Sequence, residues 1–334
     1  MMSKQQKDLI ALQKEQRARR FASYQPSKFK IRDILRWYLA RKILPPKAGY
    51  TAFNHTWLET IDLSLPGDRI WWIGHATTLI RLEGKFILTD PIFSHRASPS
   101  QLFGPKRRTP AAINIAELPQ IDYIVISHNH YDHLDYNSIK QIITRFPKIT
   151  LLVPLGLKST LTKWGAKQIV ELDWWSSNCV NGFTFTATPA KHWSKRGLFD
   201  ENKALWCGWV IQSPTTSHNE CKTVYFMGDT GYSPQLQEIG NRFPTIDLAL
   251  IPIGAYAPRW FMHSQHIDPQ QAIQLYDELH CKSALAIHWG AFELADEPID
   301  EPPELLNSHK GDRRFYLLKI GANLAINHPK YGLK

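Results

Sequence analysis

Residues 127–135 read S-H-N-H-Y-D-H-L-D, a run that places three histidines and one aspartate within six positions. The spacing is H-x-H-x-D-H, and it directly follows the apolar run I-D-Y-I-V-I, which predicts a buried strand. Alternate side chains of an extended segment share a face, so His128 and His130 point the same way, whereas Asp132 and His133 follow a turn. The alternative without a function is that these histidines form a surface cluster at the start of a helix. Imidazole and carboxylate donors crowded in this way are typical of a zinc-type metal site.

Three further ligand-type residues follow apolar runs elsewhere in the chain. His192 lies in T-P-A-K-H-W, Asp229 in F-M-G-D-T-G and His288 in A-I-H-W-G. Taken singly, each is more often structural, since a lone histidine commonly packs in a core and an aspartate beside glycine commonly stabilises a turn. Together with the H-x-H-x-D-H run, they predict the missing ligands of a metal centre.

The number of donors favours two adjacent cations, because one cation rarely binds four ligands so close in sequence. A bridging carboxylate would hold the two cations about 3.5–4 Å apart, so that they share a hydroxide. Imidazole and carboxylate donors suit two Zn²⁺ ions, and iron or manganese would also fit. The predicted ligands of the first cation are His128, His130 and His192. Those of the second cation are Asp132, His133 and His288, and Asp229 is predicted to bridge both cations.

Composition indicates a globular chain of 334 residues with 43% hydrophobic residues, four cysteines and no C-x-x-C motif. Scattered cysteines argue against a thiolate zinc site or a disulfide scaffold and fit a reducing compartment. No apolar run is long enough to span a bilayer, and the basic N-terminus lacks the apolar core of a signal peptide. We therefore expect a cytoplasmic location, with peripheral contact to the inner membrane surface.

The excess positive charge lies in the N-terminal arm. Residues 1–47 hold 13 Lys or Arg and 3 Asp or Glu, a balance of +10, and the remaining 27 basic and 27 acidic residues cancel. Such an arm is attracted to phospholipid headgroups or nucleic acid, or it is simply a solvated tail. Residues 31–44 predict a short basic amphipathic helix, which would lie on a membrane or dock on its own domain, the commoner outcome. Its apolar stripe is Ile31, Ile34, Leu35, Tyr38 and Leu39.

The elements predict one α/β domain over residues 51–334, preceded by the basic arm of residues 1–50. Short apolar runs predict strands, and helices are expected at 137–146 and 268–279. Because strands outnumber helices and helices follow strands, we expect a sandwich with two sheets inside and helices outside. The predicted strands are 70–73, 78–82, 85–89, 123–126, 150–153, 183–187, 205–211, 223–227, 248–252, 284–287 and 315–318.

Several motifs resemble the metallo-β-lactamase fold superfamily and, within it, the N-acylphosphatidylethanolamine-hydrolysing phospholipases D. They are W-I-G-H-A-T, L-T-D-P-I-F-S-H-R-A-S-P-S-Q, I-S-H-N-H-Y-D-H-L-D-Y-N-S, G-D-T-G-Y, I-P-I-G-A-Y-A-P-R-W-F-M, Q-H-I-D-P and A-I-H-W-G. The resemblance implies an αβ/βα four-layer sandwich with two mainly antiparallel sheets. It also implies a homodimer and a two-zinc phosphodiesterase whose ligands are the seven residues named above.

The implied reaction is hydrolysis of N-acylphosphatidylethanolamine-like lipids to phosphatidic acid and N-acylethanolamine by a metal-bridging hydroxide. Asp132 and Asp229 would act as metal-binding catalytic residues. Gln265 and His266 would orient the phosphate or protonate the leaving alkoxide, and Tyr131 would reach the same oxygens. The expected partner is a phospholipid at a membrane surface, with no nucleic acid.

Three other functions remain open. A hydrolase of soluble lactones or phosphoesters needs the same metals without a lipid surface, and a metal-dependent nuclease would use the basic arm. A metal-binding scaffold without catalysis is the third. Two residues also have open roles: Asp90 either orients a ligand histidine or caps a turn before Pro91, and His75 has no assigned role but is expected to pack near the site.

Overall fold

The computed structural model describes residues 31–215 and 220–326. Fourteen strands form two sheets of seven in this part of the chain. The strands are β1 (Arg69–Gly74), β2 (Thr77–Leu82), β3 (Lys85–Thr89), β4 (Tyr123–Val125), β5 (Thr150–Pro154), β6 (Gln168–Leu172), β7 (Ser177–Val180), β8 (Phe183–Thr188), β9 (Gly208–Gln212), β10 (Thr223–Phe226), β11 (Leu248–Pro252), β12 (Ala284–Ile287), β13 (Phe315–Tyr316) and β14 (Asn323–Ala325). Their order is β14-β1-β2-β3-β4-β5-β6 in the first sheet and β13-β12-β11-β10-β9-β8-β7 in the second.

Both sheets are mixed. In the first sheet, β14, β1, β2 and β3 pair antiparallel, whereas β3, β4, β5 and β6 pair parallel. In the second sheet, β7 to β10 pair antiparallel and β10 to β13 pair parallel. The predicted two-sheet α/β sandwich is confirmed, with the correction that only half of the pairings are antiparallel. The other half are parallel pairings, whose strands are joined by long connections, a loop of residues 90–122 between β3 and β4 and helical segments elsewhere.

Helices cover the outer faces. They are α1 (Ile31–Ala40), α2 (Gly49–Trp57), α3 (Tyr136–Arg145), α4 (Lys158–Trp164), α5 (Gln237–Arg242), α6 (Arg259–Met262), α7 (Pro269–Glu278) and α8 (Glu301–His309). The predicted helices α3 and α7 are confirmed to within a residue or two, and each begins after an aspartate. Asp135 accepts a hydrogen bond from the Ser138 amide, and Asp268 accepts one from the Gln271 amide. None of the helices in the described ranges is long and apolar enough to cross a membrane.

The first sheet is buried on both faces. Trp72, Ile80 and Val125 point towards the second sheet, while Trp71 and Ile124, one position away along their strands, pack with α3 on the opposite face. This period of two is the geometry of a pleated strand. Two apolar layers therefore hold β4 rigidly, and β4 leads into the H-x-H-x-D-H segment.

Helix α1 docks on the domain, but not through the predicted apolar stripe. Trp37 stacks on Phe261 with ring centroids 5.0 Å apart, and its Nε1–H donates to Asp296 over 3.1 Å. Arg41 donates to the Glu293 carbonyl over 3.0 Å. Four residues of the stripe, Ile34, Leu35, Tyr38 and Leu39, are exposed, and Leu39 is 84% exposed. The predicted docking face is therefore wrong, because Trp37 and Arg41 find partners more than 200 residues away that no local pattern reveals. Part of the predicted arm, residues 1–30, lies outside the described residues.

Candidate metal centre

The predicted ligands lie at one end of the sandwich. His128, His130, Asp132 and His133 follow β4 in the first sheet. His192, Asp229 and His288 follow β8, β10 and β12, which run in the same direction in the second sheet, so their carboxyl ends meet at one edge. A close approach makes this possible, since a Cβ at Gly228 would lie 2.7 Å from the Ser127 Cβ. The two sheets thus bring their ligands together.

Three imidazoles converge on a first point. Nδ1 of His130 lies 2.8 Å from Nε2 of His128 and 3.2 Å from Nε2 of His192. Tetrahedral coordination at a Zn–N distance of about 2.05 Å separates ligand nitrogens by roughly 3.3 Å. The observed separations approach that value, so these three nitrogens fit a single cation.

A second point lies among Asp132, His133 and His288. Nε2 of His133 is 3.2 Å from Nε2 of His288 and 3.1 Å from Oδ2 of Asp132. Asp132 Oδ2 and His288 Nε2 are 3.5 Å apart. Two nitrogens and one oxygen in this arrangement fit a second cation.

Asp229 lies between the two groups. Its Oδ2 is 3.1 Å from Nε2 of His133, 3.8 Å from Nε2 of His192 and 4.0 Å from Nε2 of His128. Its Oδ1 is 3.1 Å from Nε2 of His288. One carboxylate therefore faces both points, which is the position required of a bridging ligand.

Hydrogen bonds on the far ring nitrogens orient three of the imidazoles. His133 donates from Nδ1 to Oδ2 of Asp90 over 2.6 Å, and His192 donates from Nδ1 to the Gln265 carbonyl over 3.0 Å. Ser127 donates its hydroxyl hydrogen to Asp90, so its oxygen accepts from Nδ1 of His128 over 2.9 Å. Each bond leaves the Nε2 lone pair directed at the cluster, as metal ligation requires. Of the two roles open for Asp90, the orientation of a ligand histidine is the one that this geometry supports.

The charges of the cluster also fit cations. Burial alone would raise the pKa of Asp132 and of Asp229, but the facing histidines, His133 first, hold both pKa values well below the usual range. Burial lowers the pKa of His130 to about 4 and that of His192 to about 3, so both rings are neutral near pH 7. Two anionic carboxylates beside the neutral rings of His130 and His192 are donors that divalent cations prefer.

Two histidines, His133 and His288, are protonated on both ring nitrogens in the metal-free protein and so carry a positive charge near pH 7. Burial lowers the pKa of His288, but Asp229 and Asp132 outweigh it and raise that pKa to about 9. Burial also lowers the pKa of His133, but Asp229 and Asp132 outweigh this effect and raise that pKa well above the usual value. Protons on these rings neutralise the carboxylates, a task that cations would take over.

The three residues predicted to assist catalysis are placed differently from one another. His266 lies beside the cluster, with Nδ1 3.9 Å from Oδ2 of Asp229. The Gln265 carbonyl binds His192, while its side-chain amide is buried 3.5 Å from the Met262 sulfur. Tyr131 donates its hydroxyl to the Arg196 carbonyl over 2.8 Å, and its predicted role at the phosphate oxygens stays a prediction.

His75 is the residue that sequence reasoning left without a role. Its Nε2 lies 2.9 Å from Oδ2 of Asp132, and its carbonyl accepts from the His288 amide over 3.1 Å. It therefore contacts two of the predicted ligands. The motif W-I-G-H-A-T was the available signal, but its strand end carries no spacing that connects it with the other histidines.

Comparison with known proteins agrees with this geometry. The model of the beta-lactamase superfamily domain matches residues 85–289. The chain is 39% identical over 267 residues to N-acyl-phosphatidylethanolamine-hydrolyzing phospholipase D 1 of Caenorhabditis elegans, covering 75% of this chain and 73% of that protein. It is 38% identical over 241 residues to the mitochondrial N-acyl-phosphatidylethanolamine-hydrolyzing phospholipase D of Saccharomyces cerevisiae, covering 70% of this chain and 50% of the yeast protein.

Solved structures share the fold. Igni18, a metallo hydrolase from the archaeon Ignicoccus hospitalis, superposes with a TM-score of 0.57 at 21% identity, covering 77% of this chain and 97% of Igni18. The predicted superfamily and the predicted enzyme class, a metal-dependent hydrolase, are confirmed. The chain belongs to the metallo-β-lactamase fold superfamily and, within it, to the family of the N-acyl-phosphatidylethanolamine-hydrolysing phospholipases D.

Proposed function

We propose that the chain is a two-zinc phosphodiesterase of the phospholipase D type that hydrolyses N-acylphosphatidylethanolamine-like lipids. The observation that carries this proposal is the position of Asp229 between two groups of converging donors. The named relatives supply the substrate class. Two divalent cations bound there would supply an acidified water and neutralise charge on the phosphate. Zinc is the metal we favour, because five imidazoles outnumber two carboxylates in the donor set.

The proposed reaction is a hydrolysis at phosphorus. A new P–O bond forms to the oxygen of water, the P–O bond to the ethanolamine oxygen breaks, and the leaving alkoxide takes up a proton. The products are phosphatidic acid and N-acylethanolamine. His266 is the candidate to hydrogen-bond a phosphate oxygen or the leaving oxygen, because it is the partly exposed imidazole next to Asp229.

Access to a lipid is supported by apolar side chains on exposed segments near the cluster. Phe199 is 85% exposed, and its loop is anchored by Arg196, which donates to the carbonyl of Asn129, within the ligand segment, and to that of Leu134, directly after it. Trp260 is half-exposed on α6, five residues before Gln265. Apolar side chains at these positions can enter the interfacial region of a bilayer.

Helix α1 supplies a second apolar surface. Because Trp37 and Arg41 bind the domain, Leu35, Tyr38 and Leu39 are left exposed, and the arm that contains them carries a net charge of +10. A basic arm with an exposed apolar helix face binds anionic lipid surfaces through both charge and burial. We infer peripheral attachment to such a surface, where the substrate resides.

The direct test is an assay with purified, zinc-loaded protein and two lipids in mixed micelles, N-acylphosphatidylethanolamine and plain phosphatidylethanolamine. We expect phosphatidic acid and N-acylethanolamine from the first lipid, identified by mass spectrometry, and loss of both products after chelation. Turnover of soluble diesters or lactones without lipid turnover would instead support the soluble-substrate hydrolase. Cleavage of nucleic acid would support the nuclease.

Membrane attachment has its own test. Leu39→Glu and Phe199→Glu should each reduce sedimentation with vesicles of phosphatidylcholine and phosphatidylserine, while Tyr316→Glu, an exposed aromatic on β13, should not. Equal sedimentation of all three variants would contradict the assigned surface.

A further inference from the structure

Two imidazole nitrogens lie behind the candidate metal centre without a partner among the described residues. They are Nδ1 of His75 and Nδ1 of His288, and both side chains are buried. The two rings are neighbours, with centroids 4.2 Å apart. A buried ring nitrogen that makes no hydrogen bond destabilises the folded protein, so each of these atoms requires a partner.

Both histidines line the same small cavity. It has about 20 Å³ of room for the centres of water molecules, which is enough for one water by the usual threshold of roughly 10–15 Å³. Glu293 and Glu297 lie in its wall, together with the backbone of residues 254–255. A pocket of this size with polar groups on several sides satisfies the conditions for an ordered water.

The hydrogen-bonding roles of the two nitrogens differ. Nε2 of His75 lies 2.9 Å from a carboxylate oxygen of Asp132, so it carries the proton, and Nδ1 of the neutral ring is an acceptor. Nε2 of His288 faces the cluster, where ligation requires its lone pair, so Nδ1 of His288 carries the proton and is a donor. One nitrogen thus needs a donor and the other needs an acceptor.

We propose that the cavity is a built hydration site whose water accepts from Nδ1–H of His288 and donates to Nδ1 of His75. Its second hydrogen is directed at an oxygen of the opposite wall, where Glu293 and Glu297 lie. The water completes a chain from His288 through His75 to Asp132. This chain of hydrogen bonds connects His288 with Asp132, two predicted ligands of the second cation, on the side away from the cation, and fixes their relative orientation.

The surroundings show that this wall is fixed in place. The Glu297 carboxylate accepts hydrogen bonds from the amides of Ala255 and Ala257, and the Glu293 carboxylate accepts from Tyr50 and Arg108. Neither carboxylate can turn to reach the imidazoles without breaking these bonds. A water is the partner that fits, because it donates and accepts at one position.

This inference depends on His288 as a metal ligand and not on the lipid reaction. Nitrogen-15 NMR of histidine-labelled, zinc-loaded protein reads the tautomers directly. We expect a protonated Nδ1 and a metal-bound Nε2 for His288, and a protonated Nε2 for His75. A protonated Nδ1 on His75 would overturn the proposal. A crystal structure of the zinc-loaded protein should show one water at about 2.7–3.2 Å from both Nδ1 atoms; a dry cavity would overturn it as well.

A filling substitution tests the function of the water. Ala295 lines the cavity and is buried, so Ala295→Val should displace the water and lower affinity for the second metal about 10–100-fold. Ala166→Val makes the same change in the apolar layer between the first sheet and α3, which shares no residue with the cavity wall, and should leave the affinity within about threefold. Unchanged metal affinity in a folded Ala295→Val protein would contradict the assigned role. If that variant does not fold, the NMR result on the natural chain still decides. The NMR tautomers and the metal affinity do not depend on the substrate, so both measurements decide this proposal even if the lipid assay shows no turnover.

Discussion

Nδ1 of His133 lies 2.6 Å from Oδ2 of Asp90, and neither side chain has any exposed surface. The same carboxylate also accepts from the Ser127 amide over 2.7 Å, and the Ser127 hydroxyl in turn accepts from Nδ1 of His128. Asp90 therefore orients one imidazole of each predicted metal point: His133 of the second point directly, and His128 of the first point through Ser127. A carboxylate that orients ligands in this way sets both their direction and their basicity.

Asp90→Asn tests that arrangement. The substitution preserves shape but removes the negative charge that holds His133, so metal affinity should fall about 10–100-fold. Competition titration with a chromophoric chelator measures the change. Asp312→Asn, on an exposed turn, is the matched control and should bind metal as the natural chain does. An unchanged affinity in Asp90→Asn would mean that the contact has no part in metal binding.

Acidification should destabilise the metal-free protein between about pH 6.5 and pH 4. The pKa of His130 is lowered to about 4 and that of His192 to about 3, whereas an unfolded histidine titrates near 6.5. In that interval the unfolded chain takes up protons that the folded chain does not. Each such histidine therefore reduces the free energy of unfolding by up to about 1.4 kcal/mol per pH unit.

The pH dependence of stability has the opposite sign for His288. Its raised pKa, about 9, contributes stability that is complete below about pH 6.5 and is lost as the pH rises through 9. The metal-free protein should thus be most stable near pH 6.5. Urea unfolding from pH 4.5 to pH 9 measures this profile, and a flat profile would show that these rings are not held as described.

Metal binding near pH 7 should release protons from His133 and His288, whose pKa values are raised in the metal-free protein. Calorimetric titration in two buffers of different ionisation enthalpy counts the released protons, and we expect about two per chain. At pH 9.5 the number should fall, because His288 is then largely deprotonated before the metal binds. Release close to zero at pH 7 would contradict the assigned protonation states.

Trp37→Ala should loosen helix α1. The stacked ring and the bond to Asp296 are lost together, and a local cost of about 1.4 kcal/mol would raise the open fraction about tenfold. Tryptic cleavage after Arg36 measures the opening. Leu39→Ala, on the exposed face of the same helix, should leave the cleavage rate unchanged. Equal rates for the two variants would indicate that α1 is not held by Trp37.

The strongest local signals in the sequence predicted the elements around the site. Helices α3 and α7 carry both an aspartate N-cap and an apolar stripe, and β4 is a continuous apolar run, so they were found nearly to the residue. Three strands were missed: β6, β7 and β14. β7 is a polar edge strand, S-N-C-V, with three exposed residues, and such strands depend on a neighbour and not on their own pattern.

Contacts between distant segments account for what the sequence could not predict. Ligand types at strand ends indicated the seven donors, but no spacing links His75 to Asp132, 57 residues later. The tryptophans are a second example, because Trp174, Trp206 and Trp209 are buried in the core whereas Trp260 is exposed. Tryptophan packs equally well in either setting, so only the fold separates the two uses.

The oligomeric state stays a prediction. The resemblance implies a homodimer, and light scattering of the purified protein would measure the mass directly. A mass near 38.5 kDa would correspond to a single chain.

Metal content tests the central claim most directly. Inductively coupled plasma mass spectrometry of the purified chain, reconstituted with zinc and freed of excess metal, should give two zinc ions per chain. Asp229→Asn should give one or fewer, because Asp229 faces both groups of donors. One or fewer zinc ions in the natural chain, or two in Asp229→Asn, would contradict a centre built on that shared carboxylate.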